Sequence, residues 1–490
     1  MSKLIVLSNR VSLPNPDKPA AGGLAVALQD ALTETGGIWL GWNGDIIPDS
    51  RDTSADENTS HAAYQPQFGQ VVDGKIEYLT CPLTQNQYDQ YYCGFANNTL
   101  WPAMHERQDL LEYNPAEFET YQQVNALFAR QLKAIAQPDD VIWVHDYHFF
   151  SVARYCRELG MDNKIGFFLH IPFAPLSIWQ CIPTAERLIQ DLCHYDLVGL
   201  QTDYDQSLCM QACTTLLKAQ KIQHSLVSYQ QRITTIKCYP IGINPAQIQQ
   251  VAKKHANDRQ DVFDLKALKH QKTIIGVDRI DYSKGILERF DAFAAFLEQY
   301  PQYHRRITEL QIACPCRMDI LAYQRLFRQV NQTVEKINDT FAQHDWLPID
   351  CTNEVVPHET LMGLYRLTDI CWISSLRDGM NLVAKEYIAA QDPENPGVLI
   401  LSKYAGAAEQ MQQALIVDPT DTQDMVNALK TAIDMPLEER LSRYQQLMQG
   451  LTTFDINDWR NQFLSDLRKN HQLENFKQPI RAVNTAYQLL

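Results

Sequence analysis

The sequence predicts an α/β protein of two large domains, and three observations carry that reading. The chain has 490 residues, more than one hydrophobic core accommodates. Its hydrophobic content of 45% is that of a globular protein. Short apolar runs of strand length recur along it, and several are followed at once by polar residues. That is how the ligand edge of a doubly wound sheet reads.

In the first half, Leu4–Leu7 reads as a strand with Asn9 and Arg10 at its C-terminal end. After a proline-rich loop, Ala21-Gly22-Gly23-Leu24 opens a helix that runs to about Leu32. Glycines there permit close backbone approach to a ligand, and Arg10 suits a phosphate; a solvated arginine beside a turn fits the pattern as well. Residues 49–62 read as a polar surface loop. Tyr91-Tyr92 and Leu100-Trp101-Pro102 put aromatics in loop or helix-end context. Their faces suit sugar phosphates, although core packing is the commoner use. Val141–Val144 is a strand that discharges into His145-Asp146-Tyr147-His148, and Ile165–Leu169 one that discharges into His170-Ile171-Pro172-Phe173. Asp146 and His170 read as hydrogen-bonding groups for a polyol, or as local structural pairs. His145 and His148 lack the third ligand a metal needs. Tyr195–Leu200 is a further strand, with Thr202 or Asp203 capping the next helix. A strand within Ile236–Ile243 ends in a turn, and the domain boundary is expected near residue 243.

The second half opens on the strand Thr273–Val277, followed by Asp278-Arg279-Ile280-Asp281-Tyr282-Ser283-Lys284-Gly285. A helix comes next, with Ile286, Phe290, Phe293, Ala294 and Leu297 at helical spacing. Arg279 and Lys284 thus sit in a strand-to-helix loop, where two cations can neutralise a departing diphosphate or simply face solvent. Leu310–Ala313 is a strand with Arg317 shortly after it, and Leu361–Tyr365 is helical and carries Arg366. Residues 369–375 form a buried strand; a polar turn containing Gly379 leads to a helix with Val383, Ala384, Tyr387 and Ile388 on one stripe. A helix start offers free N–H groups to phosphate, and Glu386, on the second turn, reaches a hydroxyl-bearing ligand docked there. The stretch fits a nucleotide-sugar pocket; it also fits an ordinary turn in which Asp378 is the cap. Val398–Leu401, helices over 421–433 and 436–450, a terminal helix Asp455–Leu467 and a tail over 470–490 complete the chain.

A net charge of −15 argues against a nucleic-acid partner, which needs a basic face, but leaves room for a small phosphorylated substrate. The N-terminal apolar run is too short for a signal peptide, and no run of 18 apolar residues predicts a membrane span. Twelve cysteines then read as free thiols of a reducing cytoplasm. Cys314-Pro-Cys316 lacks a second pair, so no metal is expected. No strand is followed by Gly-x-Gly-x-x-Gly, which argues against a nicotinamide cofactor.

Taken in order, Asn9-Arg10, Gly22-Gly23-Leu24, Leu100-Trp101-Pro102, His145-Asp146-Tyr147-His148, His170-Ile-Pro-Phe173, Arg279-Ile-Asp-Tyr-Ser-Lys-Gly285 and Arg377-Asp-Gly-Met-Asn-Leu-Val-Ala-Lys-Glu386 resemble the alpha,alpha-trehalose-phosphate synthases, retaining glycosyltransferases of family 20. The resemblance covers nearly the whole chain, from residue 4 to about residue 468. It implies a GT-B architecture, two Rossmann-like domains facing across a cleft: an acceptor domain over 1–243, a donor domain over 244–454, and a last segment, 455–490, whose helix crosses back to the first domain. It implies transfer of glucose from a nucleotide-diphosphate glucose, foremost UDP-glucose, to glucose 6-phosphate. Neither metal nor cofactor is required, the setting is cytoplasmic, and the assembly is a homo-oligomer, dimer or tetramer. By motif position, Arg10, Trp42, Tyr92, Trp101, Asp146 and Arg317 would hold the acceptor. Gly22, Gly23, Arg279, Lys284, Arg366, Asp378, Gly379, Met380, Asn381, Leu382, Val383 and Glu386 would hold the donor, with Glu386 on the ribose and Arg366 near the base. Arg279, Lys284, His170 and Asp378 would act at the reacting centre. The family usually has proline after His-Ile-Pro-Phe and an acid three positions on; here those are Ala174 and Ser177, which bears on the loop beside the acceptor. A sister transferase using another phosphorylated acceptor, such as a glucosylglycerol-phosphate synthase, stays open at this level. So does a catalytically silent regulatory subunit.

Overall fold

The computed structural model describes residues 2–11, 13, 28–29, 32–33, 36–49, 68–256, 262–263, 271–344 and 346–469. Strands among these residues build two sheets. The first comprises β1 (Leu4–Arg10), β2 (Gly37–Ile47), β3 (Gly69–Asp73), β4 (Ile76–Thr84), β5 (Val141–His145), β6 (Lys164–Phe168), β7 (Leu197–Leu200), β8 (Gln220–Gln223), β9 (Leu226–Tyr229) and β10 (Arg232–Cys238). They lie in the order β3-β4-β2-β1-β5-β6-β7-β10-β9-β8. The run from β4 to β10 is parallel, and β3, β8 and β9 are antiparallel additions at its edges. The second sheet comprises β11 (Lys272–Arg279), β12 (Ile307–Cys314), β13 (Ile349–Thr352), β14 (Ile370–Ile373), β15 (Val398–Ser402) and β16 (Leu415–Val417). Its order is β13-β12-β11-β14-β15-β16, with every pairing parallel.

Parallel strands covered by helices on both faces are buried throughout, so they read as unbroken apolar runs. That is why β5, β14 and β15, all fully buried, are easy to find in the sequence. In the parallel run of each sheet the strand order reverses once, between β1 and β5 and between β11 and β14. Loops leaving adjacent strands diverge at such a point and open a crevice. Arg10 ends β1, and the loops after β5, β11 and β14 carry Asp146, Lys284 and Asp378.

The structure differs from the sequence expectation in several elements. Glycines interrupt β2 and Pro82 interrupts β4, which hides both from a search for apolar runs. The helices Pro115–Ile135 and Leu321–Phe341 are amphipathic and long, yet polar enough to read as connecting material. Tyr91 and Tyr92 lie inside a helix rather than in a loop. A reciprocal cap between Thr84 and Gln87 starts it, and Tyr88–Leu100 is wound in the wide π form, a geometry that recurs at functional sites. Trp101 opens the short helix that continues it. Thr202 is the cap of the Asp203–Leu216 helix, accepting from the Asp205 amide. All twelve cysteines are free thiols.

The helix Ile456–Lys469 packs on the first sheet. Phe463 stacks on Trp143 at 4.9 Å, and Trp459, Phe463 and Leu467 are fully buried. The chain therefore passes twice between the sheets, and the passages are tied together by a hydrogen bond from the Ile456 amide to the Ile243 carbonyl, 3.0 Å. No helix among the described residues is long and apolar enough to cross a membrane.

Candidate active site

The second-sheet wall of the crevice is made by two loops held together from below. Leu376 N donates to Ser283 O at 2.7 Å, joining the loop after β14 to the loop after β11. Gly285 has φ +62°, and a Cβ there would stand 2.1 Å from Ser374 O, so the turn that starts the Ile286–Gln299 helix requires glycine. Beneath it lies Arg289, fully buried. Its guanidinium bonds Asp278 Oδ2 at 2.9 Å, Glu309 Oε1 at 3.0 Å and Ser374 Oγ at 2.9 Å, and the Ser374 hydroxyl faces the Lys284 and Gly285 carbonyls at 3.1 and 2.8 Å. A buried arginine with two carboxylates thus anchors the loop that presents Arg279 and Lys284.

Above this base, Lys284 Nζ bonds Asp378 Oδ2 at 2.6 Å. The same oxygen accepts from Ser375 Oγ at 3.2 Å and Asn381 Nδ2 at 3.0 Å. Burial pushes Asp378 up, but the Lys284 ammonium beside it and the Asn381 amide together hold the carboxyl below its ordinary value. Asn381, at φ 78°, caps the Leu382–Ala390 helix by accepting from Ala384 N; Asp378 is not the cap. The first-turn amides at Leu382 and Val383 have no intrahelical carbonyl to meet. Met380 is buried, and its carbonyl accepts from Ala407 N at 2.7 Å. Glu386 is 8% exposed and its Oε1 lies 3.7 Å from His358 Nε2.

The first-sheet wall is aromatic. Arg10 lies over the Trp42 ring at 5.6 Å, and Trp42 meets Tyr92 at 5.5 Å. Tyr92 in turn stacks on Tyr88 at 5.4 Å and on His148 at 6.0 Å. Trp101 stands between the walls: Arg317 packs on its ring at 3.8 Å and Arg279 at 5.6 Å, and its Nε1 donates to Asp281 Oδ1 at 3.4 Å. Arg317 Nη1 also bonds Asp281 Oδ2 at 2.9 Å and Tyr323 at 2.7 Å, while Nη2 reaches Tyr147 at 3.2 Å. Burial pushes Asp281 up, but Arg317 and Arg279 hold it far below the usual carboxylate range. Asp146 has φ 76°, an uncommon conformation for a residue with a side chain, and its Oδ1 accepts from His170 N at 3.3 Å. The two walls touch where a Cβ on Gly379 would stand 2.1 Å from His170 O.

The contacts join Arg10 to Trp42 and Trp42 to Tyr92, Trp101 to Arg279 and Arg317, Lys284 to Asp378 and Asp378 to Asn381, and Asp146 to His170, whose carbonyl meets Gly379; Met380, Leu382, Val383 and Glu386 follow on the same turn and helix. Arg366 is not brought there. It bonds the carbonyls of Ala390 and Gln391 at 3.3 and 3.0 Å and pairs with Asp392 at 3.2 Å. Those groups lie at the C-terminal end of the Leu382–Ala390 helix, roughly 12 Å along its axis from the first turn; a cation there satisfies orphan carbonyls. Gly22 and Gly23 lie outside the described residues. Sequence reasoning missed His358, Asp281, Tyr147, Tyr323 and Arg289. Only Arg289 left a signal: it falls three residues after Ile286 and one before Phe290, a charge on an otherwise apolar helix face.

Comparison with known proteins identifies the architecture. The sequence profile described as glycosyltransferase family 20 matches residues 8–469. A trehalose-6-phosphate synthase of Sodalis glossinidius is 38% identical over 471 residues, covering 96% of each chain. The crystal structure of an alpha,alpha-trehalose-phosphate synthase (UDP-forming) from Burkholderia vietnamiensis superposes with a TM-score of 0.90 at 42% identity, over 96% of this chain and 97% of that one. The enzyme of the same name from Burkholderia xenovorans, in complex with glucose-6-phosphate, does so at 0.89 and 41% identity, over 95% and 100%. Two Rossmann-like sheets meeting at their switch points in this way form the GT-B plan, and the chain is an enzyme that belongs to glycosyltransferase family 20.

Proposed function

We propose that the protein transfers glucose from UDP-glucose to glucose 6-phosphate with retention of configuration, giving α,α-trehalose 6-phosphate and UDP. The observation that carries this reading is the meeting of an anion-binding wall and an aromatic wall at one point. The first is Lys284 at 2.6 Å from Asp378, beside the capped start of the Leu382–Ala390 helix. The second is Arg317 stacked on Trp101 at 3.8 Å, with Asp146 and His170 adjoining.

Arg279 and Lys284 would take the charge of the donor diphosphate, joined by the open amides of Leu382 and Val383 and the turn Gly379-Met380-Asn381. Asp378 would hold a hydroxyl of the donor hexose, His170 another, and Glu386 the ribose. Arg10, Trp42, Tyr92, Trp101 and Arg317 would receive the acceptor and its phosphate, with Asp146 accepting from an acceptor hydroxyl. Among the described residues no carboxylate is assigned as a nucleophile for a covalent intermediate; attack from the face the diphosphate leaves accounts for retention. As the bond from the hexose to the phosphate breaks, its electron pair goes to the leaving phosphate oxygen, which takes the acceptor hydroxyl's proton while the two cations stabilise the negative charge that builds on the diphosphate, so the protein's work is positioning and electrostatics.

The division into an acceptor domain over 1–243, a donor domain over 244–454 and a segment over 455–490 is part of this reading. So are a cytoplasmic setting, which the free thiols support, and a homo-oligomer. The test is incubation of the pure protein with glucose 6-phosphate and UDP-, GDP- or ADP-glucose, the product being identified by NMR. Trehalose 6-phosphate formed fastest from UDP-glucose is the expected result. Turnover only with another acceptor, such as glycerol 3-phosphate, or none with any donor, would overturn it. Light scattering on the same sample reads the oligomeric state.

A further inference from the structure

Behind His170 lies a second imidazole that no part of the chemistry above uses. His145, the last residue of β5, is fully buried. Its Nδ1 lies 3.0 Å from His170 Nε2, and the rings are stacked at 5.2 Å with 22° between planes. Around the pair stand Trp143, 4.5 Å from His145, Phe168, 4.7 Å from His170, and Trp459 of the terminal helix, 6.2 Å from His170. Burial pushes both imidazoles below the ordinary histidine range, His170 to about 3. At neutral pH the pair is therefore uncharged, and its single hydrogen bond has one donor and one acceptor.

The direction of that bond follows from what is left over. His145 Nε2 is buried with no hydrogen-bond partner among the described residues. If His170 donated, the His145 proton would sit on that nitrogen, leaving an orphaned buried N–H, the rarer and costlier defect. If His145 donates from Nδ1, only a bare lone pair is left there. His170 Nε2 is then occupied as an acceptor and the His170 proton stays on Nδ1, which the structure gives no partner among the described residues. His170 is only partly buried, and its carbonyl abuts Gly379, so the ring stands at the crevice where the two walls meet.

We infer that His145 is a positioning residue that fixes the tautomer of His170, so that His170 offers the donor hexose a neutral N–H at Nδ1 rather than an acceptor. The inference rests on the proposed role of His170 at the donor sugar. It adds that His170 works as an uncharged hydrogen-bond donor whose direction is set from the core, by the strand next to its own.

The experiment uses full-length protein labelled with ¹⁵N-histidine, with His170 identified by the signals lost in His170→Asn. The wild type should show His170 protonated at Nδ1. His145→Leu removes the donor and should let the Nε2-protonated form appear. His145→Asn, whose side-chain amide can replace Nδ1–H, should keep the wild-type tautomer. Calorimetry on the same proteins should find UDP-glucose binding weakened about 10- to 100-fold in His145→Leu, the range expected for losing one buried hydrogen bond. It should be restored within a few-fold in His145→Asn, with UDP binding unchanged throughout because UDP lacks the hexose. A wild-type His170 that is protonated at Nε2 or cationic overturns the inference, whether or not the variants fold. So does a His145→Leu protein that loses UDP and UDP-glucose alike, or neither. If the wild type binds UDP but not UDP-glucose, the donor-sugar reading fails instead, and the tautomer spectrum still decides what His145 does.

Discussion

The two walls of the crevice hold their working groups by opposite means. On the second-sheet side the loop carrying Arg279 and Lys284 rests on a buried ionic knot: Arg289 between Asp278 and Glu309 at 2.9 and 3.0 Å. On the first-sheet side no ion pair among the described residues underlies the group: His145 and His170 bond each other, Tyr147 donates to Asn97 and its carbonyl accepts from Tyr121, the His148 carbonyl accepts from Asn125, and burial pushes all three imidazoles below the ordinary histidine range. The contrast follows the charge each wall meets. A loop bearing two cations gains from a partner-rich base that fixes where those cations stand, because a diphosphate is recognised by charge and position. A sugar presents hydroxyls, and neutral donors and acceptors of fixed direction discriminate among them without attracting stray ions.

The largest effect that would break the comparison is at the knot. Arg289→Leu strands two carboxylates in the core, which should cost about 3–5 kcal/mol of stability, read from the shift of the urea unfolding transition. An unshifted transition would mean the loop is held by something else. Next comes Lys284→Ala, which should lower kcat/KM about 10²-fold or more, roughly 2.7 kcal/mol of transition-state stabilisation, in steady-state kinetics with UDP-glucose. A mutant within a few-fold of wild type would remove Lys284 from the leaving-group site.

Legibility in the sequence followed the same divide. The parallel core strands show because burial on both faces makes them plain apolar runs, and the loops at their ends show because polar residues follow at once. Arg279, Lys284, Asp378 and His170 were all visible that way. What stayed hidden depends on contacts between distant segments: Asp281 matters because Arg317 folds onto it at 2.9 Å, and His358 because its helix start lands beside Glu386. Arg366 was misplaced for the same reason. Near in sequence to the strand that feeds the pocket, it points toward the far end of the next helix, and sequence spacing carries no information about which end a long side chain reaches.

Gly379→Ala probes the point where the walls meet. The added methyl would stand 2.1 Å from the His170 carbonyl, inside any permissible contact, so the walls must part. Overpacking of this kind costs about 1–3 kcal/mol, and it should appear as a loss of roughly 10- to 100-fold in kcat/KM. Thermal stability should change far less, because the strain is relieved once the walls part. Activity near wild type would show that the contact belongs to a conformation not used in turnover.

The smallest effect lies at Asp146, where the two walls' electrostatics meet. Burial is the main cause that pushes its carboxyl up, to about 6, while backbone amides and the Arg317 and Arg279 charges pull the other way. A carboxyl that titrates higher in the folded protein than in the unfolded chain binds more protons when folded, between the two values. Its contribution to stability therefore declines as pH rises from about 4 through 6 and is flat above. Activity should run in the opposite sense, since only the ionised carboxylate accepts from acceptor hydroxyls with both oxygens. The KM for glucose 6-phosphate should fall as pH rises through about 6, and Asp146→Asn should abolish that limb while raising KM by no more than about tenfold, the worth of one ordinary hydrogen bond. If the limb survives in Asp146→Asn, the titrating group is the acceptor's own phosphate or another side chain, and Asp146 serves only to fix the His170 amide.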